Sequence, residues 1–432
     1  MDNPLLRPLA KWYAQRCPAC GTSRLEAVLK GFKKKSSCQE CGKHLSFGSV
    51  MLKTALRYLR MERSDFGDLS SDPEAMALAN ALCRGIATQG QRAIDVGLPL
   101  YVVFDVTSRC NLRCIHCYSS ENKKDLSTEK ASQVILKLFN AGAGVMDFGG
   151  GEPLLREDIF DLLSYAKGLG LYTSISTNGL LLDNPRVDRL KALGIDHVCV
   201  SLDGATAETH DSIRNKHGAF EQAIQGIQTC VSAGITTQAS TVVMNRNLDE
   251  VEDMENLLTG LQVKGWYLYD FVPAGRGKTL QDEALAPEQR HHLYETLQGR
   301  APQSKITLKP YPYLITINAA SASETYFYQK YGKLTEFFHG CLSGRWTCYV
   351  SSNGDVFPCH QLPFLLGNLT TSTFNDIWFD TESPVLRELR DRSALKGACG
   401  SCSYRNVCGG CRAQAFWRTG DHLASDRCWI HQ

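Results

Sequence analysis

Residues 108–120 read SRCNLRCIHCYSS and place Cys110, Cys114 and Cys117 in a C-x3-C-x2-C spacing. Three thiols this close can ligate a metal or pair as disulfides. Zinc loops rarely use this spacing without a fourth ligand nearby. An iron–sulfur cube normally takes four thiolates, so three would leave one iron open to a substrate or cofactor. His116 is a weak candidate for the fourth ligand, because its turn is already committed to the flanking residues.

The other cysteines also favour metal. The chain has 18. CPACG and CQECG contribute Cys17, Cys20, Cys38 and Cys41 as two C-x2-C knuckles, whose four thiolates suit a tetrahedral ion. Zinc is expected there over a single iron, since closed structural sites are usually zinc. Eight more follow late in the chain: Cys341, Cys348, Cys359, Cys399, Cys402, Cys408, Cys411 and Cys428. That is enough thiols for two four-cysteine clusters. Cys83, Cys199 and Cys230 stand alone and read as small buried hydrophobes. The first residues, MDNPLLRPLAKWYAQRC, lack the cationic start and apolar core of a secretory signal, so a reducing, cytoplasmic location is expected.

The elements that must hold these residues follow an α/β rhythm. Strand-like runs occur at LYVVFDV, VMDFGG, LYTSIST, HVCVSLD, TTQASTVV and GWYLYDFV, with helical segments such as STEKASQVILKLFNAG between them. Six such alternations imply a parallel sheet wrapped by helices, with its site at the C-terminal strand ends. The three-cysteine loop follows the first strand directly. Residues 51–98 read as a helical linker, and beyond about residue 310 the rhythm stops. The chain of 432 residues is 43% hydrophobic and 21% charged, with a net charge of +2. Neither a membrane span nor a nucleic-acid partner is expected from this balance. The basic KGFKKK between the knuckles reads as a solvated loop.

In this order and phase, the motifs of residues 99–310 resemble the radical S-adenosylmethionine (radical SAM) enzymes. CNLRCIHC matches their C-x3-C-x-Φ-C loop, with His116 where an aromatic is usual. GGGEP (149–153) is similar to the motif that holds the amino group of S-adenosylmethionine, which assigns Gly149, Gly150, Gly151 and Glu152. STNG (176–179), SLDG (201–204) and HDSIR resemble the segments that contact its ribose and carboxylate, which assigns Ser176, Asn178, Ser201, Asp203 and Arg214. The resemblance implies a partial (β/α)6 TIM-like barrel and a [4Fe–4S] cluster on Cys110, Cys114 and Cys117. It also implies one-electron cleavage of S-adenosylmethionine to a 5′-deoxyadenosyl radical that abstracts hydrogen from an unactivated carbon.

The late cysteines resemble a SPASM domain, in which NGDVFPC (353–359) matches the G-x4-C hairpin. The resemblance implies two auxiliary [4Fe–4S] clusters, one on Cys341, Cys348, Cys359 and Cys411, the other on Cys399, Cys402, Cys408 and Cys428. The last pair here is C-x2-C, where many members have C-x3-C. Two structural zinc sites are the alternative. The expected plan is a four-cysteine zinc-ribbon-like domain (1–50), a helical linker (51–98), a radical SAM barrel (99–310) and a SPASM domain (311–432).

For the substrate, CGGCRAQAFWRTGDHLASDRC and VPAGRG (272–277) are similar to tetrapyrrole-processing members and to peptide-modifying members of the pyrroloquinoline quinone type. His360 stands where sulfatase maturases carry an acid, which counts against that activity. Expected partners are S-adenosylmethionine, a small-molecule or peptide precursor and a flavodoxin- or ferredoxin-like reductant. The alternatives are a protein maturase using the ribbon for recognition, or a non-catalytic electron-transfer or nucleic-acid-binding protein.

Overall fold

The computed structural model describes residues 6–31, 38–58, 72–119, 124–310, 340–379, 382–406 and 408–428. Seven parallel strands follow one another in space as in sequence: β1 (Tyr101–Asp105), β2 (Val145–Gly149), β3 (Tyr172–Thr177), β4 (His197–Ser201), β5 (Thr237–Val243), β6 (Gly265–Asp270) and β7 (Thr307–Pro310). On the other side of β1 lie β8 (Thr347–Val350), parallel to it, then the antiparallel β9 (Asp355–Phe357) and β10 (Gly367–Asn368). All six strands expected from the sequence are present, and the mixed α/β architecture stands. β7 and β8 are additions. The sheet therefore continues past residue 310, where sequence periodicity fades.

The two sheet faces differ sharply. Val102, Phe104, Met146, Phe148, Ile175, Val198, Val200, Ala239, Trp266 and Leu268 share one core with the flanking helices. Those helices include Thr128–Asn140, Ile159–Leu169, Asn184–Ala192, Ala219–Ser232 and Val251–Gly260. Ser127 and Asp183 cap two of them by accepting the N–H groups of Lys130 and Arg186. The in-register residues of opposite parity, including Tyr101, Asp105, Asp147, Ser176, Ser240, Tyr267 and Lys309, lie on the other face. A parallel sheet is usually apolar on both faces, so the polar groups gathered on this one set it apart.

Among the described residues, those of the expected ribbon (1–50) are mostly helical, and so are those of the expected helical linker (51–98). α1 (Leu6–Ala14), α2 (Arg24–Gly31) and α3 (Gln39–Tyr58) surround the four cysteines, and the first knuckle has one isolated bridge, Arg16↔Ser23. α4 (Pro73–Gln89) is capped by Asp72, and Tyr13, Leu25 and Val28 pack against its flank with Ala79. It runs beneath the N-terminal ends of the strands. A Cβ on Gly144, just before β2, would come within 2.8 Å of the Ala77 carbonyl. Glu74, in the first turn of α4, ion-pairs with Lys309 at 3.6 Å. No helix among the described residues is long and apolar enough to cross a membrane.

Candidate active site and metal centres

The three-cysteine loop leaves the C-terminal end of β1 and is braced from two sides. The Arg276 N–H donates to the Cys117 carbonyl (2.9 Å), and its guanidinium Nε donates to the Cys114 carbonyl (3.0 Å). Gly275, at φ +54°, lets the two segments touch: a Cβ there would lie 2.3 Å from the Tyr118 carbonyl. From the other side, the Ile115 N–H donates to the Ile213 carbonyl (3.0 Å) and Arg214 Nη1 lies 3.8 Å from Cys114 Sγ. Burial pushes the Cys110 thiol up to about 11 and raises Cys117, the latter opposed by Arg276. Metal binding would displace those protons.

The glycine segment lies directly against this loop. Cβ atoms on Gly150 and Gly151 would fall 2.4 Å from the Thr107 carbonyl and 2.2 Å from that of Arg109. The Gly151 and Glu152 N–H groups donate to those same carbonyls, each at 2.8 Å. Glu152 is fully buried, and its carboxylate accepts from Leu154 N–H (3.1 Å), Thr177 Oγ1 (2.8 Å) and Asn178 N–H (2.9 Å). Asn178 in turn donates to Asn111 in the cysteine loop (2.7 Å). Asp203 pairs with Arg214 at 2.6 Å and accepts the Val242 N–H at 2.9 Å. Burial works against its charge, but Arg214 and His116 outweigh this and hold its carboxyl below the usual range. Gly149 ends β2, where a Cβ would sit 3.0 Å from Asp105 Oδ1. Ser176 donates to Asp147 (2.8 Å), and Ser201 ends β4 partly buried. The residues singled out in the sequence thus collect at one end of the sheet. Five of the assigned side chains, Glu152, Ser176, Asn178, Asp203 and Arg214, are already engaged within the protein.

Asp105, Tyr118 and Tyr349 were not singled out. Asp105, the last residue of β1, accepts from Tyr349 (2.7 Å) and Tyr118 (3.2 Å). Burial pushes its carboxyl up to about 7 despite those bonds. The Tyr118 ring lies 4.6 Å from that of His360. Strand parity could have found Asp105, since Tyr101, Val103 and Asp105 share a face. Tyr349 required knowing that β8 pairs with β1.

Near the N-terminus, the Sγ atoms of Cys17, Cys20, Cys38 and Cys41 lie within 4.8 Å of one another. Two pairs stand at 3.7 and 3.5 Å. Sulfurs about 2.3 Å from a tetrahedral ion are about 3.8 Å apart, so the set fits one ion and is too tight for an iron–sulfur cube. Hydrogen bonds from Thr22 bring the exposed Cys20 thiol down to about 6. Among the described residues, no other cysteine set closes to this spacing. In the C-terminal region, Cys359 and Cys411 share an apolar cluster with Tyr118, and the Cys341 N–H donates to the Cys408 carbonyl (3.3 Å). Cys399 and Cys408 are buried, and Cys402 Sγ accepts the Tyr404 N–H (3.3 Å). Burial pushes Cys408 up to about 12, with Asp426, Cys428 and Cys399 adding to it. Cys348 packs in the main core.

Comparison with known proteins agrees with this geometry. Residues 104–258 match the radical SAM superfamily, and residues 341–403 match SPASM, an iron–sulfur cluster-binding domain. The AdoMet-dependent heme synthase of Methanosarcina barkeri is 36% identical over 340 residues, covering 77% of this chain and 97% of that protein. The mycofactocin maturase MftC of Mycolicibacterium smegmatis is 31% identical, covering 77% and 82%. Streptococcus suis SuiB, solved with its precursor peptide SuiA, shares the fold with a TM-score of 0.64 over 90% of each chain, at 16% identity. The chain belongs to the radical SAM superfamily, with a SPASM region. These families imply [4Fe–4S] clusters and S-adenosylmethionine, and three soft thiols beside two arginines form a donor set that fits such a cluster.

Proposed function

We propose that this chain is an oxidoreductase that takes hydrogen from a carboxylate-bearing tetrapyrrole precursor. The observation that carries the reading is the inner face of the sheet. Tyr267 and Tyr269 lie nearly parallel there, 6.0 Å apart and 14° between planes. The Lys309 ammonium lies 3.0 Å from Tyr267 Oη and 3.3 Å from Gln238 Oε1. Tyr101 shares this face. Aromatic planes suit a flat π-system, and Lys309, which also pairs with Glu74 at 3.6 Å, offers an ammonium to acidic groups on its rim. Similarity across nearly the whole of a heme synthase supports the same substrate class.

In this reading Cys110, Cys114 and Cys117 hold the cluster, which when bound supplies the electron that splits S-adenosylmethionine. Gly149, Gly150, Gly151 and Glu152 shape the pocket for the cofactor's amino group. Ser176, Asn178, Ser201, Asp203 and Arg214 surround its ribose and carboxylate. Asp203 aims Arg214, so a cation faces the cofactor without a long side chain having to be ordered on binding. The C-terminal cysteines would hold centres able to accept the electron an oxidised product must lose, and a flavodoxin- or ferredoxin-like protein is the reductant. Cys17, Cys20, Cys38 and Cys41 hold zinc. The working units are residues 1–50, 51–98, 99–310 and 311–432.

The likeness to a mycofactocin maturase favours a second reading, a peptide substrate. One titration separates them. Adding a carboxylated iron porphyrin to the reduced protein should shift its Soret band and raise 5′-deoxyadenosine release. No Soret shift and no porphyrin-dependent release would overturn the tetrapyrrole reading.

A further inference from the structure

The four cysteines near the N-terminus close a small helical module, and that module is built against α4. Cys17 and Cys20 lie in the turn between α1 and α2, whereas Cys38 and Cys41 flank the start of α3. One ion on all four therefore joins the two halves. Tyr13 Oη adds a bond to the Gly48 carbonyl (2.7 Å). The apolar core here is small, with Tyr13, Leu25 and Val28 at its centre, so the ion is what orders it.

Contacts from the module reach α4. Ser23, bridged to Arg16 across the first knuckle, donates to Asn80 Oδ1 (2.6 Å). Leu25 and Val28 share their cluster with Ala79 and Cys83. α4 in turn crosses the floor of the sheet, and over Pro73–Gln89 it is about 25 Å long. At its far end a Cβ on Gly85 would fall 2.1 Å from Leu98, just ahead of β1, and Arg84 donates to the Ala143 carbonyl (2.5 Å). At its near end Glu74 meets Lys309 on β7, at the other end of the parallel run. The other partners of that ammonium, Gln238 and Tyr267, come from β5 and β6. Burial drives the Glu74 carboxyl up, and Lys309 opposes it.

We propose that the ion on Cys17, Cys20, Cys38 and Cys41 locks α4 across the N-terminal end of the sheet, and that Glu74 thereby acts as a positioning residue for Lys309. The metal module then serves the inner face of the sheet instead of recognising a partner protein. What Lys309 meets on that face rests on the tetrapyrrole reading, whereas the lock does not.

A water-soluble carbodiimide, which joins a carboxylate to a touching amine with loss of water, reads the pair directly. Glu74 and Lys309 are 21% and 22% exposed, enough for the reagent to reach them. Peptide mass spectrometry of the metal-loaded full chain, without substrate, should find a Glu74–Lys309 amide. The Lys396–Asp421 pair, at 2.6 Å in the C-terminal region, supplies a reference crosslink. Cys38→Ser together with Cys41→Ser should remove the ion and lower the Glu74–Lys309 yield several-fold against that reference, with iron content unchanged. Stripping zinc from the unaltered chain with a chelator should lower the yield likewise, and adding zinc back should restore it, which separates the ion from any folding defect of the variant. Absence of the amide from the unaltered chain, or a yield indifferent to the ion, overturns the proposal. Because no substrate is present, the outcome is independent of the Soret titration that decides the tetrapyrrole reading.

Discussion

Glu152→Gln tests the site at its most constrained side chain. The carboxylate is fully buried and receives three hydrogen bonds, two on Oε1 from Leu154 and Thr177 and one on Oε2 from Asn178. Glutamine keeps the shape but turns one oxygen into a donor. With its NH2 in place of Oε2 it faces the Asn178 N–H. In place of Oε1 it faces the Leu154 N–H and the Thr177 hydroxyl, which already accepts the Gly179 N–H (3.1 Å). Neither orientation satisfies all three donors. One buried donor left without a partner costs about 1–3 kcal/mol. The loss lands on the end of β3, and from there on Asn111 through Asn178, so the cysteine loop loosens with it.

Two losses are therefore expected from one substitution. Thermal unfolding of the metal-loaded variant should show lower stability by about 1–3 kcal/mol. Losing the charge-assisted bond assigned to the cofactor should weaken S-adenosylmethionine binding roughly ten- to a hundred-fold. Stability and affinity are read separately, by scanning calorimetry and by titration of the reduced protein. Unchanged stability would refute the buried network. Lowered stability with unchanged affinity would leave Glu152 as a cap of the following turn and sink its role at the cofactor.

Replacing Cys110, Cys114 and Cys117 together with alanine should abolish 5′-deoxyadenosine formation while sparing the C-terminal iron; product above background in that variant would unseat the site. Metal analysis of the reconstituted protein should find about twelve irons and about one zinc per chain, and iron saturating near four with extra zinc would remove the auxiliary clusters. Asp105→Asn should change the pH dependence of stability. Its folded pKa of about 7 exceeds the ordinary 3.8, so between these values the folded state binds the extra proton and stability falls as pH rises. The penalty for Asp105→Asn should therefore shrink from pH 5 to pH 8 in parallel denaturation curves. A penalty independent of pH would show that Asp105 does not titrate in that window.

What was legible in the sequence depended on whether local pattern alone decides the outcome. The six core strands announce themselves, because an apolar stretch closed by a glycine or acid keeps its identity wherever it packs. The site at their ends follows from that order. β8 did not announce itself: TCYV is four residues long, and what makes it a strand is register with Tyr101–Phe104, far away in the chain. VPAGRG was visible as a motif but not as a brace, since only the folded chain brings Arg276 to the Cys114 and Cys117 carbonyls. The knuckles correctly announced four convergent thiols, yet two C-x2-C turns leave the intervening backbone free, and here its segment Arg24–Gly31 is helical. Cysteine spacing says as little about Cys348, which lies on a strand. In a loop, close spacing is enough to aim thiols at a common point, as at Cys17 and Cys20. In a strand the side-chain period of two decides which face a thiol takes, and Tyr349 and Val350 hold that phase for Cys348.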